Sequence, residues 1–346
     1  MRGQKHRFYF NQALLFISTI LLGLLLTIPT WAFVSTDKNG NKVADFDGDG
    51  KSDISVFRPS NGLWFVMNSS GGISSTQWGQ RSDFLVPGDY DGDGKTDLAV
   101  NRLGKGDLFE IVDNYWYILK SSDNTLLTRQ FGQHVFYNFN EPMPADYDGD
   151  GITDLAFGEI NDGIPTPVDY TILPSSTKSK VTKQWGFNAD RNMQADFDGD
   201  GKADLAAFRY LRFIGSNETN TWYISQSSNG AIRVERFGLG SDRIVPGDFD
   251  GDGKADIAVW RPSNGVWYVL NDEDGSFSAT QFGQTGDKPV PADYDGDGRT
   301  DIAVFRPSNG NWYLQQSKDG FAAHVFGLKD DVPIPYVQIP DYMWYP

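Results

Sequence analysis

The feature that most constrains this chain is the nine-residue run Asp-Phe-Asp-Gly-Asp-Gly-Lys-Ser-Asp from Asp45 to Asp53, which recurs five more times with its aspartates in one register. The copies begin at Asp89, Asp146, Asp196, Asp248 and Asp293. Positions 1, 3, 5 and 9 are Asp in all six, positions 4 and 6 are Gly, position 2 is Phe or Tyr, and position 10 is Ile or Leu. Four carboxylates packed this closely repel one another unless a cation sits among them. Hard oxygen donors at alternate positions suit Ca²⁺, which takes ~6–8 oxygens at roughly 2.3–2.6 Å and tolerates irregular geometry better than Mg²⁺. The candidate carboxylate ligands are Asp45, Asp47, Asp49 and Asp53; Asp89, Asp91, Asp93 and Asp97; Asp146, Asp148, Asp150 and Asp154; Asp196, Asp198, Asp200 and Asp204; Asp248, Asp250, Asp252 and Asp256; and Asp293, Asp295, Asp297 and Asp301. Glycine at position 6 permits the sharp turn that returns position 9 to the metal.

An EF-hand is the first comparison for such a loop, but position 12, where that motif needs a bidentate Glu, holds Val56, Val100, Phe157, Ala207, Val259 and Val304. The flanks also differ from helices: Asp-Ile-Ser-Val-Phe-Arg after the first loop and Asp-Ile-Ala-Val-Phe-Arg after the last read as short strands. A solvated acidic turn is the plain alternative. Six identical registers of four carboxylates favour the metal.

Loop-to-loop spacings of 44, 57, 50, 52 and 45 residues fall in the range of propeller blades. In the least decorated unit, four strand-like runs alternate with turn signals, at 244–248, 256–261, 266–270 and 278–282. With these named A to D, the acidic loop joins A to B, Pro262-Ser263-Asn264-Gly265 turns B into C, and Asp272-Glu273-Asp274-Gly275 turns C into D. The fold class expected is therefore all-β, a β-propeller of four-stranded blades with the calcium loops between strands A and B. Aromatic residues recur in register in strand C (Trp64, Trp116, Tyr170, Trp222, Trp267, Trp312) and before a glycine at the end of strand D (Trp78, Phe131, Trp185, Phe237, Phe282, Phe326). Such regularity points to packing between blades rather than to sugar stacking. Arg58, Arg102, Arg209, Arg261 and Arg306 close strand B in five units, where structural ion pairs are expected, and the third unit has Glu159 instead.

A Phe-Gly pair, then Asp-x-Asp-Gly-Asp-Gly-x-x-Asp-Ile/Leu, then Val-x-x-Pro, then an aromatic Tyr-Val strand resembles the FG-GAP (VCBS-type) repeat of integrin α-subunit propellers and many secreted bacterial proteins. The resemblance spans residues 42–335. It implies a Ca²⁺-loaded β-propeller holding about six ions. It also implies that each seventh loop residue, Lys51, Lys95, Ile152, Lys202, Lys254 and Arg299, adds a main-chain carbonyl to the ligands. Val56-Phe57-Arg58-Pro59 stands where integrins have Val-Gly-Ala-Pro, which argues against integrin-like partners. After the sixth Phe-Gly, residues 331–335 resemble a further strand A, but Val337 falls where the first Asp belongs. Six complete blades thus fit better than seven, and the proline-rich tail is expected to latch the ring.

Residues 1–32 have the three parts of a secretory signal peptide: Arg2, Lys5 and Arg7, an apolar run from Ala13 to Ile28, and Thr30-Trp31-Ala32 as cleavage site. An uncleaved signal anchor tethering the chain to a membrane is the competing reading. The 16-residue apolar run is shorter than the ~20 of a comfortable span, which favours cleavage near Phe33, and no later segment could span a membrane. The expected organisation is thus a leader at 1–32 and a single propeller over 33–346, secreted or at the cell surface. Without the leader, 46 acids face 27 basic residues, an excess of 19 negative charges that six Ca²⁺ would reduce to about 7. Nucleic acid is disfavoured as a partner, because no basic stripe exists to neutralise phosphates. The absence of cysteine excludes disulfides and thiolate chemistry.

Catalytic constellations are scarce: beyond the leader the chain has only His134 and His324, no thiol and no Gly-x-Ser-x-Gly elbow. A binding or adhesion module for an extracellular glycan or protein is the leading function class, followed by a calcium-dependent polysaccharide lyase and by a structural surface spacer. Insertions that break the repeat fall in successive B–C turns at 103–115, 160–169 and 210–221 and in the D–A connection at 133–141, all on the rim opposite the acidic loops. There Phe136, Tyr137, Phe139, Tyr210 and Phe213 are aromatic residues the repeat does not demand, suited to stacking on a sugar or a peptide. Drifted loops covering their own small apolar cluster are the alternative.

Overall fold

The computed structural model describes residues 44–334 except 105–109, 135–137, 162–165, 189, 210–219 and 272–274, together with the backbone of Trp31–Ala32. All regular structure among the described residues is β, arranged as six sheets in each of which four antiparallel strands follow the order A–B–C–D. This is a six-bladed β-propeller. The B strands are Ile54–Arg58, Leu98–Leu103, Leu155–Asn161, Asp204–Arg209, Ala258–Arg261 and Ile302–Arg306. The C strands are Leu63–Met67, Val112–Leu119, Pro167–Leu173, Thr221–Ser225, Val266–Leu270 and Asn311–Gln316.

Burial follows from the stacking of blades. Strand B is apolar on both faces and buried on both, as in Ile54–Arg58 and Asp204–Arg209, because a neighbouring blade covers each side. Strand C alternates, and the outer strand D is mostly exposed, as in Ile73–Gln77 and Phe277–Gln281. The strand C aromatics are 0–1% exposed, so they are core. In five blades the Trp Nε1 donates to the carbonyl of the aromatic residue ending strand D, for example Trp222 to Phe237 and Trp312 to Phe326. The apolar clusters span blade boundaries. Ile54 and Val56 of the first blade pack with Phe305 and Trp312 of the sixth.

The ring closes through the tail. Strand A of the first blade is Val332–Pro333, which pairs with Phe57 and Val56, while the Ile334 N–H donates to the Ser55 carbonyl at 3.0 Å. The second blade carries an additional strand, Trp31–Ala32, parallel to its strand A, Phe84–Leu85. Removal of the expected leader would take this strand away and leave four-stranded blades throughout.

The arginines that end strand B make the anticipated ion pairs. Arg58, Arg102, Arg209, Arg261 and Arg306 bind Asp331, Asp83, Asp190, Asp242 and Asp287 at 2.7–2.9 Å, with the carboxylates buried. Each guanidinium also lies over an aromatic ring of strand C, for example Phe65 for Arg58 and Tyr313 for Arg306, at 4.4 Å. Four of these aspartates stand six residues before the first loop Asp of their own unit. For the first unit the same offset falls at Asn39, and the tail supplies Asp331 instead.

Candidate metal centres and the opposite rim

Each acidic loop is a tight turn held by its own carboxylates. The position-1 Asp accepts the position-4 N–H on one oxygen at 2.6–2.7 Å and the position-6 N–H on the other at 2.8–2.9 Å, in all six loops. Both glycines sit at φ between 76° and 88°, where a β-carbon is disfavoured. The position-9 Asp is clamped from two sides: by the position-2 N–H, as Phe46 to Asp53 at 2.8 Å, and by the turn between strands C and D, as Ser69 N–H to Asp53 at 2.7 Å.

These bonds gather the acids. Among the described residues, six groups of three or more metal-ligating side chains bring one ligand atom each to within 4.8 Å of one another; five are Asp45, Asp47 and Asp53; Asp89, Asp91 and Asp97; Asp146, Asp148 and Asp154; Asp196, Asp198 and Asp204; and Asp248, Asp250 and Asp256. These are positions 1, 3 and 9. Position 5 is held differently: its Oδ1 accepts the position-7 N–H at 2.9 Å in every loop, and Ser69 and Ser317 hydroxyls reach Asp49 and Asp297 at 2.7 Å.

The donor set fits a hard divalent cation. Burial raises Asp53, Asp97 and Asp204 to about 6 and Asp154 and Asp301 to about 7, with neighbouring carboxylates adding to the rise and main-chain N–H groups opposing it. A bound cation would relieve that repulsion. In the second loop, the buried Asp91 Oδ1 has no hydrogen-bond partner among the described residues, as suits a ligand atom. Residues that sequence reasoning passed over are the serines of the C–D turn. Ser70, Ser122, Ser176 and Ser228 donate hydroxyls to the position-3 Asp at 2.5–2.6 Å. Their signal was a Ser-Ser pair recurring after strand C in four units, at Ser69, Ser121, Ser175 and Ser227.

Phe136, Tyr137, Tyr210, Phe213 and the side chain of Phe139, expected from the sequence on the opposite rim, lie outside the described residues. What is described there sets the third blade apart. Asn140 and Glu159 replace the Asp–Arg pair, and Glu159 stands opposite Asp169 across the ladder. Glu141, Gly158 and Tyr170 are adjacent on strands A, B and C, so they share one face. Glu141 is 6% exposed, and burial pushes its carboxyl up to about 7. Among the described residues, Tyr170 Oη, Trp185 Nε1 and the Asn192 Oδ1 of the next blade are buried without a hydrogen-bond partner.

Residues 45–100, 196–259 and 248–304 match the family model described as FG-GAP-like repeat. No curated protein matches the chain. Among solved structures it is similar to AofleA from Arthrobotrys oligospora, with TM-score 0.46 and 10% identity over 81% of this chain and 87% of that one. It is also similar to a streptogramin B lyase, with TM-score 0.45 and 8% identity over 88% and 86%. A third is the periplasmic gluconolactonase PpgL of Pseudomonas aeruginosa, with TM-score 0.42 and 12% identity over 83% and 99%.

Proposed function

The chain is built of FG-GAP-like repeats folded into a six-bladed β-propeller, and on that premise we propose that it is a secreted, calcium-stabilised module that binds an extracellular glycan or protein. The observation that carries the reading is the convergence of the position-1, 3 and 9 carboxylates in loop after loop on one rim. The loop aspartates hold the ion, and the position-7 carbonyls join them as the resemblance implies. Calcium supplies the positive charge that makes a rigid ring of these acids stable at neutral pH. Export rests on the leader at residues 1–32. Recognition then falls to the insertions that the repeat pattern assigns to the opposite rim, whose sequence carries Phe136, Tyr137, Phe139, Tyr210 and Phe213.

The test is a glycan and matrix-protein array probed with the leaderless protein, with and without EDTA. Binding that is lost in EDTA and on replacing Tyr137 and Tyr210 with Ala supports the reading. A calcium-loaded, folded protein that binds nothing on the array, or a double variant with undiminished binding, refutes it.

A further inference from the structure

The acidic loops are not six separate turns. The N–H of position 8 in each loop donates to the carbonyl oxygen of position 1 in the loop before it: Thr96 to Asp45, Thr153 to Asp89, Ala203 to Asp146, Ala255 to Asp196 and Thr300 to Asp248, at 2.6–2.7 Å. Ser52 to Asp293, at 2.7 Å, closes the circuit between the first and last loops. A second contact runs the same way. The position-7 side chain of each loop lies over the position-4 glycine of the loop before it, so that a β-carbon on Gly48 would meet Lys95 at 3.0 Å and one on Gly296 would meet Lys51 at 3.0 Å. Gly92, Gly149, Gly199 and Gly251 meet Ile152, Lys202, Lys254 and Arg299 in the same way at 3.0–3.1 Å.

The position of this link matters. Its acceptor belongs to a residue whose carboxylate is a metal ligand in one loop. Its donor lies between positions 7 and 9, which both serve the metal of the next. We propose that the six calcium sites form one cooperative ring, in which an ion bound in one loop pre-orders its neighbours for the next ion. This rests on the calcium reading above. An ion that fixes position 1 of one loop fixes the carbonyl that orders positions 7 to 9 of the following loop, so part of the ordering cost is met once for two sites.

One effect opposes this. Neutralising a loop weakens the electrostatic pull on the next ion. That term is screened by salt, whereas the main-chain links are not. The transition should therefore sharpen as ionic strength rises, even as its midpoint moves to higher calcium. Closure of the ring distinguishes this arrangement from a row of loops, because every site has two linked neighbours.

The experiment is a calcium titration of the full leaderless protein by equilibrium dialysis, at low and high salt. Identical independent sites need roughly an 80-fold calcium range to go from one-tenth to nine-tenths filled, and unequal independent sites need more. The ring predicts a narrower range. A second measurement uses Asp148→Asn, which damages the third loop. Independent sites would lose one ion and keep the remaining midpoint. The ring predicts a midpoint at least about threefold higher for the ions that remain. Uptake of several ions over a range of 80-fold or wider at high salt, with an unshifted midpoint in the variant, overturns the cooperative ring while leaving calcium binding intact. No uptake at all overturns both.

Discussion

Glu141 offers a sharp test of the electrostatics of the third blade. It occupies a strand A position where other blades have Phe84, Arg191, Arg243, Lys288 or Val332, and among the described residues no cation pairs with it. Burial alone raises its carboxyl from 4.5 to about 7. Because the folded pKa lies above the unfolded one, the folded state keeps a proton that the unfolded chain releases across that window. The penalty is therefore absent below about pH 4.5, grows with pH, and is complete above about pH 7. At ~1.4 kcal/mol per pKa unit, the full penalty is about 3 kcal/mol. Glu141→Gln keeps the shape and removes the ionisation. Measured by calorimetry in saturating calcium, the variant should match the wild type within about 1 kcal/mol at pH 5. At pH 8 it should be more stable by about 2–3 kcal/mol, which raises Tm by roughly 3–5 °C. A difference that is the same at both pH values, or a variant less stable at pH 8 than at pH 5 relative to wild type, would show that Glu141 is not buried uncompensated.

Two further outcomes bear on the ring and its ions. Ile334, fully buried against Phe57, Trp64 and Val100, anchors the closing strand, so Ile334→Ala should cost ~2–5 kcal/mol in a denaturant titration; a loss below about 1 kcal/mol would mean that the tail does not close the ring. EDTA should lower Tm strongly at pH 8 and much less at pH 5. In five loops the position-9 carboxyl, raised to about 6 or 7, is ionised and repelled by the other acids of its loop in the metal-free protein only above that range, and calcium must displace its proton below it. Scans at both pH values decide this, and an EDTA effect of equal size at each would count against it.

The sequence revealed most where the repeat is strict. Position-by-position identity of the loops located the clusters of acids that the fold brings together and that could hold a cation. Recurrence of Trp in strand C identified it as core, since a ligand site would not need a copy in every blade. The ion pairs of the strand B arginines were anticipated, yet their partners were not, although four of the five lie at a constant offset before the loop of their own unit. The first unit hides the rule: its partner, Asp331, is 273 residues from Arg58 and becomes adjacent only when the ring closes.

Coupling between the loops could not have been read from local pattern. Position 8 is Ser, Thr, Thr, Ala, Ala and Thr, with no common side chain, because the group that matters there is the main-chain N–H. A repeat detected through side chains conceals a bond made by the backbone. What the sequence did carry was the glycine at position 4, unchanged in six copies. It serves two constraints at once: a positive φ within its own loop and room for the position-7 side chain of the next. The first reason applies to position 6 as well, where nothing lies within 4 Å of a β-carbon; the second is peculiar to position 4. Alanine at Gly50 would therefore strain one loop, whereas alanine at Gly48 would press on Lys95 and disturb two.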